Sequence, residues 1–400
     1  MPNELKEKFQ EIDNLVYKNS EKVLNAFRKY QVSTSDFVGT TGYGYNDLGR
    51  DKIEQIYADI FKAESSLVRS QIISGTHALT ITLFGLLRPG DTLLSITGTP
   101  YDTIHEVIGI KNNPSSLKSY GILYQEIPLL NDDFNYDKIK EVLSSKKIKM
   151  VALQRSRGYS LRSSIDFSKL KQVIAFIRNI DSKVIIMVDN CYTEFCEEHS
   201  PIEGGADIAV GSLIKNLGGT IAPNGGYVVG KEKYVNLVAE RLTVPGQGKE
   251  VGPSLNMNYN FLKGLVFSPH IVGDALKTSC YLSYLLKERG INTYPLYNEK
   301  HSDIVLAIEF QKPELLIKFV QGIQKYSLID SFVTPIPSPM PGYDDQIIMA
   351  SGSFIQGSSI EMSCDGPLRA PYVAYFQGST TFEYSKIAID SIMKDLNTFN

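Results

Sequence analysis

Lys215 sits in the stretch GSLIKNLGG, directly behind the run DIAV at 207–210 and ahead of glycines at 218, 219, 225 and 226. A loop lysine is ordinarily a surface group. One placed just past a buried strand, among glycines that let backbones come close, is a candidate amine nucleophile, with a pKa expected to fall in a low-dielectric pocket. Ser212, one turn earlier, could add a hydroxyl to a phosphate. Asp189 ends the apolar run VIIMV at 184–188. A carboxylate there is either a helix cap or a buried anion that needs a cationic partner. Ser74, Gly75, Thr76 and His77 follow the run QII and open a helical stretch. Such a turn offers unpaired backbone N–H groups and a favourable dipole to a phosphate, or is an ordinary cap. Tyr101, in TGTPYD behind the run TLLSI, either packs in the core or stacks on a planar ligand.

Each of these groups stands just after a short apolar run. SLVRSQII, TLLSI, GILYQEIPL, IKMVALQRS, KVIIMVDN, DIAVGS and GGYVVG read as strands, and the stretches THALTITLFGLL, YDKIKEVLSS and DFSKLKQVIAFIRNI between them read as helices. Continuously apolar strands alternating with helices predict an α/β fold with a mostly parallel seven-stranded sheet between helices. Ligands of such sheets bind beyond the carboxyl ends of the strands, where these residues would converge. Residues 4–30 read as a helix, followed by the glycine–tyrosine loop GTTGYGYNDLGRD. After about residue 250 comes a long helical stretch from FLKGLVF, then a strand in DIVLAIEF and a helix in KPELLIKFVQGIQ. The proline-rich loop TPIPSPMPGYDD, further strand-like segments and a final helix from about Tyr384 complete a smaller α+β domain.

Taken together, a phosphate turn, an aromatic, a strand-end aspartate and Ser-x-x-Lys followed by glycines describe one ligand. It carries a phosphate, a planar ring whose nitrogen wants a carboxylate, and an aldehyde that a lysine can capture: pyridoxal 5'-phosphate. At these residues the sequence resembles the fold-type I pyridoxal-phosphate enzymes, the aspartate-aminotransferase superfamily. Within it the likeness is to the Cys/Met-metabolism group and its methionine gamma-lyase-like branch, also labelled aluminium-resistance or cystathionine beta-lyase-like. GYGYNDLGRDKIEQIYADIF, SGTHAL, DNCYTEF, GSLIKNLGG, GGYVVG and GPLRAPYVAYFQG carry the likeness, which runs from about residue 20 to the end.

The resemblance implies a role for each position. Lys215 would anchor the cofactor as a Schiff base and later move the substrate's alpha proton. Asp189 would hold the ring nitrogen protonated, and Tyr101 would stack on the ring. Gly75, Thr76 and Ser212 would bind the phosphate, with His77 either touching the cofactor or packing. Tyr43 or Tyr45, with Arg50, would complete the phosphate site of a neighbouring subunit. That implies a homodimer with shared active sites, assembled as a homotetramer. Arg369 would clamp the substrate carboxylate through its planar guanidinium, with Arg157 as the competing clamp and a surface role as the plain alternative for Arg369. The implied division is an N-terminal helix and inter-subunit loop at 1–50, a cofactor-binding large domain at 51–262 and a small domain at 263–400. Two departures fall where substrate choice is made: QRSRGYS replaces the asparagine–proline turn of the better-known gamma-lyases, and the N-terminal loop lacks their tyrosine-x-arginine pattern.

The implied activity is removal of sulfur from a sulfur amino acid by beta- or gamma-elimination. Transamination, aldol cleavage and cofactor binding without lyase activity use the same parts. A cofactor-independent Schiff-base aldolase would leave the phosphate turn and Asp189 unexplained. Composition narrows the partners. Among 400 residues the net charge is −3, which gives no general electrostatic reason to bind nucleic acid or an anionic membrane. The longest uncharged apolar run, ALTITLFGLL, is about half of the ~20 residues a membrane-spanning helix needs. The charged, amphipathic N-terminus has no signal-peptide core, so a cytoplasmic protein is expected. Cys191, Cys196, Cys280 and Cys364 form no CxxC pair. Reduced thiols and no metal site are expected of them.

Overall fold

The computed structural model describes residues 2–340 and 344–396; residues 341–343 of the proline-rich stretch and the last four residues lie outside the described residues. Seven strands build the large sheet: β1 (Ser65–Arg69), β2 (Thr92–Ser95), β3 (Leu123–Glu126), β4 (Met150–Gln154), β5 (Ile185–Asp189), β6 (Ile208–Ser212) and β7 (Gly226–Gly230). Their spatial order is β1-β7-β6-β5-β4-β2-β3. The strands from β6 to β3 run parallel, and β7 runs against both of its neighbours. Every residue of β1, β6 and β7 is buried, as strands covered on both faces must be. This is the mostly parallel seven-stranded sheet expected from the apolar runs.

Alternation along each strand divides the apolar side chains between two layers. One face is covered by the second half of α1 (Asn3–Lys29), with α2 (Leu48–Phe61), α5 (Tyr136–Ser145) and α6 (Phe167–Ile180). The other face is covered by α3 (Gly75–Leu86), the short α4 (His105–Ile108) and α7 (Glu232–Leu242). The side chains of Asp47, Ser74, Asn135 and Asp166 accept the N–H groups of Arg50, His77, Lys138 and Lys169. Each fixes the point at which a loop becomes α2, α3, α5 or α6.

A single helix, α8 (Asn258–Lys287), links the two halves of the molecule. Its Phe261, Leu262 and Leu265 belong to the large-sheet core, and its Ile271, Val272 and Ala275 belong to the second core. α1 lies along it and is divided in the same way, with Leu5 and Ile12 in the second core and Val23 and Ala26 in the first. The helices meet closely at Gly273, where a Cβ would fall 2.3 Å from Val16 Cγ2. The second core underlies a five-stranded antiparallel sheet of β8 (Asn292–Tyr294), β9 (Val305–Glu309), β10 (Ile347–Ser351), β11 (Ser363–Pro367) and β12 (Val373–Gln377). Its order is β10-β11-β12-β9-β8, with α9 (Pro313–Lys325) and α10 (Phe382–Leu396) packed on it. The sequence reading has no counterpart for the three-residue β8, and α10 starts two residues before the expected Tyr384. Among the described residues no helix is long and apolar enough to cross a membrane.

Parallel register carries the chemistry to one edge. Gln154 pairs with Asp189 and Asp189 with Val210, so the chain leaves β4 and β5 at the same level, two residues before β6 ends at Ser212. Beside them, Gly211 on β6 faces Tyr227 on β7. A Cβ at Gly211 would lie 2.4 Å from the Tyr227 ring, whose hydroxyl is held by Asn190 and Glu194. Gly211→Ala is therefore expected to destabilise the protein by about 1–3 kcal/mol through overpacking. Urea unfolding measures this, and an unchanged midpoint would mean that Tyr227 is free to move aside.

Candidate active site

Lys215, Asp189, Tyr101, Gly75 and Thr76 line one cavity at the carboxyl edge of the large sheet, together with Gln154, Ser156, Cys191 and Tyr192. Counting its open mouth, it spans about 860 Å³. Toward the α3 face it is walled by Leu79, Leu83, Leu93, Ile108 and Met187.

One end of the cavity is built to take an anion. Residues 75 and 76 begin α3, and the first N–H groups of a helix have no intrahelical acceptor. Ser74 Oγ accepts only that of His77, at 3.0 Å. A Cβ on Gly75 would lie 3.3 Å from Ser212 Cβ, 3.2 Å from Cys191 Sγ and 3.8 Å from Lys215 Nζ. Glycine thus keeps open a space shared by β6, the turn after β5 and the lysine. Ser212 Oγ is buried there without a hydrogen-bond partner among the described residues, a costly state that a phosphate oxygen would relieve. Thr76 Oγ1 lies 2.9 Å from Thr103 Oγ1.

The other polar groups sit around the lysine. Lys215 Nζ lies 3.9 Å from the centre of the Tyr192 ring, a cation–π contact. Burial pushes the Asp189 carboxyl up, while Lys215 and the Cys191 N–H, 3.1 Å from Oδ1, hold it back. The expected lowering of the Lys215 pKa does not occur. Burial does pull it down, but Cys191, Tyr192, Asp189 and Glu194 pull it up, and the net direction is up. Burial pushes the Cys191 thiol itself well above its ordinary value. With no cofactor attached, the amine is an ammonium.

Tyr101 is fixed by the loop that replaces the asparagine–proline turn. Its backbone N–H donates to Gln154 Oε1 at 2.9 Å, its ring meets Tyr159 edge-on at 5.4 Å, and Gly158, in the left-handed region at φ +58°, passes beneath it. This loop is held by the small domain. The Arg157 N–H donates to Asp303 Oδ2 at 3.0 Å, and Tyr159 OH donates to Asp365 Oδ2 at 2.9 Å.

The remaining residues are placed as follows. Arg157 is buried, and its Nε and Nη1 have no hydrogen-bond partner among the described residues; its nearest carboxylate, Asp303, is 3.9 Å away. Arg369 is 55% exposed and pairs with Asp345 at 3.2 Å. His77 turns from the cavity, its Nδ1 accepting the Ile73 N–H. Arg50 is buried and committed to Gly44 O, Gly252 O and Asp51 of its own chain. Tyr43 and Tyr45 stack on each other at 5.6 Å on the surface. Sequence reasoning assigned no role to Tyr192, Gln154 or Glu194. Tyr192 and Glu194 stand in DNCYTEF, a polar turn behind a buried strand, and that was the available signal.

These groups fit pyridoxal phosphate: an open anion cradle with an unsatisfied hydroxyl, an amine beside it, and a carboxylate at the strand end. Comparison with known proteins points the same way. A family model described as methionine gamma-lyase matches residues 1–397. The Bacillus subtilis protein YnbB is 46% identical over 390 residues, 97% of this chain and 92% of that one. A Listeria monocytogenes structure described provisionally as a cystathionine beta-lyase involved in aluminium resistance superposes with a TM-score of 0.95 at 45% identity, covering 98% and 96% of the two chains. A Clostridium novyi structure described as a carbon–sulfur lyase involved in aluminium resistance gives 0.94 at 43%, covering 98% and 93%.

Gly75→Ala fills the cradle. It is expected to weaken pyridoxal phosphate binding to the cofactor-free protein by about tenfold or more, or ~1.4 kcal/mol. Fluorescence titration reads this, and an unchanged affinity would place the phosphate elsewhere.

Proposed function

The chain belongs to the methionine gamma-lyase family, and from that premise we propose that it is a pyridoxal-phosphate-dependent carbon–sulfur lyase acting on a sulfur amino acid. The products are a keto acid, ammonia and a thiol. The observation that carries this reading is the convergence of Lys215, Asp189 and the Gly75 cradle on one cavity. The descriptions of its relatives as cystathionine beta-lyase and carbon–sulfur lyase support the choice of reaction.

When bound, the cofactor would supply an electron sink for an amino acid losing its alpha proton. The chain's own residues would do the rest. The α3 N-terminus and Ser212 Oγ would hold the phosphate. Asp189 would pair with the protonated ring nitrogen, relieving a carboxylate that burial makes costly. Tyr101 would lie against the ring. Lys215 Nζ would hold the aldehyde and, once the substrate displaces it, accept the alpha proton; its place over the Tyr192 ring stabilises the resulting ammonium. The sulfur would leave from the beta or gamma carbon with the electron pair of the broken bond and take up a proton as the thiol, and water would then release the remaining carbon chain as keto acid and ammonia. A gamma leaving group needs a second proton transfer, from the beta carbon.

For the substrate carboxylate, Arg157 is favoured. It is buried beside the cavity-lining Ser156 and carries two nitrogens with uncommitted hydrogen-bonding capacity, whereas Arg369 is exposed and paired. The reading includes a homodimer, assembled further as a tetramer. The exposed Tyr43 and Tyr45 would reach a neighbour's phosphate, and Arg50 would act by shaping their loop.

A panel of sulfur amino acids, assayed for keto acid and thiol, tests the reading. Pyruvate with thiol indicates beta-elimination, 2-oxobutyrate with thiol indicates gamma-elimination, and keto acid without thiol would replace the lyase by an aminotransferase. Lys215→Ala is expected to lower thiol release by about 10²–10⁴-fold, the range of a lost acid–base group. Arg157→Lys is expected to raise KM about tenfold, because an ammonium cannot reproduce the bidentate fork. Arg369→Lys should leave KM nearly unchanged, and the reverse ordering would move the clamp to Arg369.

A further inference from the structure

Glu194 lies in the turn after β5, behind the groups that line the cofactor cavity. It is 3% exposed. Its backbone carbonyl accepts Asn216 Nδ2 at 2.8 Å, which fastens it to the residue following Lys215. Its Oε1 accepts from Tyr227 OH at 2.7 Å, and its Oε2 has no hydrogen-bond partner among the described residues. The groups acting on it come from every packed element: Tyr227 from β7, Tyr57 from α2, Asp189 from β5, Cys191 and Cys196 from its own turn, and Lys215 after β6. Lys215 is the cation among them. A buried carboxylate without a bonded cation lowers its cost by taking a proton. Burial pushes the Glu194 carboxyl up to about 7, with the Tyr227 bond and Lys215 pulling the other way.

A second recess reaches Glu194 and shares no lining residue with the cofactor cavity. Arg155, Asn190 and Thr193 line it with Glu194, and Lys22 and the half-exposed His199 also border it. A hydrogen-bonded chain runs along its inner wall. Arg155 Nη1 and Thr193 Oγ1 donate to Asn190 Oδ1 at 3.0 and 2.7 Å, Asn190 Nδ2 donates to Tyr227 OH at 3.1 Å, and Tyr227 OH donates to Glu194. The close fit of Tyr227 over Gly211, one residue before Ser212, ties this chain to the strand that leads to Lys215.

We propose that Glu194 is a positioning residue for Lys215: a buried acid that gains and loses one proton through this rear recess and thereby sets the charge on Lys215 from the side the substrate does not reach. The effect on Lys215 rests on the cofactor reading above; the proton held by Glu194 does not. The direction follows from charge. When Glu194 is anionic, at pH above the neutral range, it helps Lys215 keep its proton. When Glu194 is neutral that help is gone.

Two measurements test this. Infrared difference spectra of the cofactor-free protein across the neutral range should contain a protonated-carboxyl stretch that Glu194→Gln removes. Absorbance titration of the holoenzyme should show the Lys215-dependent transition moved to lower pH by about one unit in Glu194→Gln, the size expected for loss of a nearby charge, with the urea midpoint showing that the fold is kept. A difference spectrum from which Glu194→Gln removes no carboxyl band, or a transition that does not move, overturns the proposal. If Glu194→Gln does not fold, Tyr227→Phe decides. It removes the Oε1 donor, so the carboxyl band must then titrate at higher pH, and an unmoved band overturns the proposal. A wild-type protein with no visible absorbance on adding cofactor would instead sink the cofactor reading, and the infrared result would stand apart from it.

Discussion

A cation set into the edge of a parallel sheet must be answered by anions, and the arrangement around Lys215 follows from that requirement. Asp189 ends β5, Glu194 lies in the turn that follows, and both act on the lysine. Both carboxyls are pushed up by burial, so neither is a comfortable anion without it. Gly75 leaves the amine room beside the anion cradle, and Gly211 leaves room for the tyrosine that holds Glu194. The parallel register of β4, β5 and β6 makes this possible, because it brings the ends of β4 and β5 level with each other and with Val210, two residues before the end of β6. A phosphate and a ring nitrogen entering this cavity would find an unsatisfied hydroxyl and a strained carboxylate, so binding would remove costs that the protein carries alone.

The two halves of the molecule are joined so that the site responds to both. α1 and α8 each contribute to both cores, which resists the separation of the sheets. The loop at 155–159 belongs to the large domain but is bonded to Asp303 and Asp365 of the small one. Tyr101 rests on that loop through Gln154, Tyr159 and Gly158. A shift of the small domain would therefore move Tyr101 and Arg157 together.

Much of this was legible in the sequence, for a physical reason. A strand buried on both faces is a continuous apolar run, so the inner strands of the large sheet could be marked, the half-exposed edge strand β3 being signalled instead by the flanking Ile122 and Ile127, and the polar residues just behind the strands had to meet at one edge. Lys215, Asp189, Ser212, Gly75 and Tyr101 were found in that way. What could not be read depends on contacts between distant segments. The proton affinity of Lys215 came out opposite to expectation, because burial alone would lower it and Cys191, Tyr192, Asp189 and Glu194, gathered beside it from the end of β5 and the turn that follows, raise it. In that turn Tyr192 takes a positive φ of 71°, which apolar patterning does not signal. Arg50, expected at a neighbouring subunit's phosphate, is held in the fold by Gly44 O, Gly252 O and Asp51 of its own chain. β8 is too short to show a period.

The central claim is that Lys215 is the amine that captures the cofactor. Borohydride reduction of the protein incubated with pyridoxal phosphate, followed by peptide mapping with mass spectrometry, tests it most directly. The account predicts one stoichiometric pyridoxyl modification, on the peptide containing Lys215. Modification spread over surface lysines, or confined to another residue with Lys215 unmodified, would contradict it.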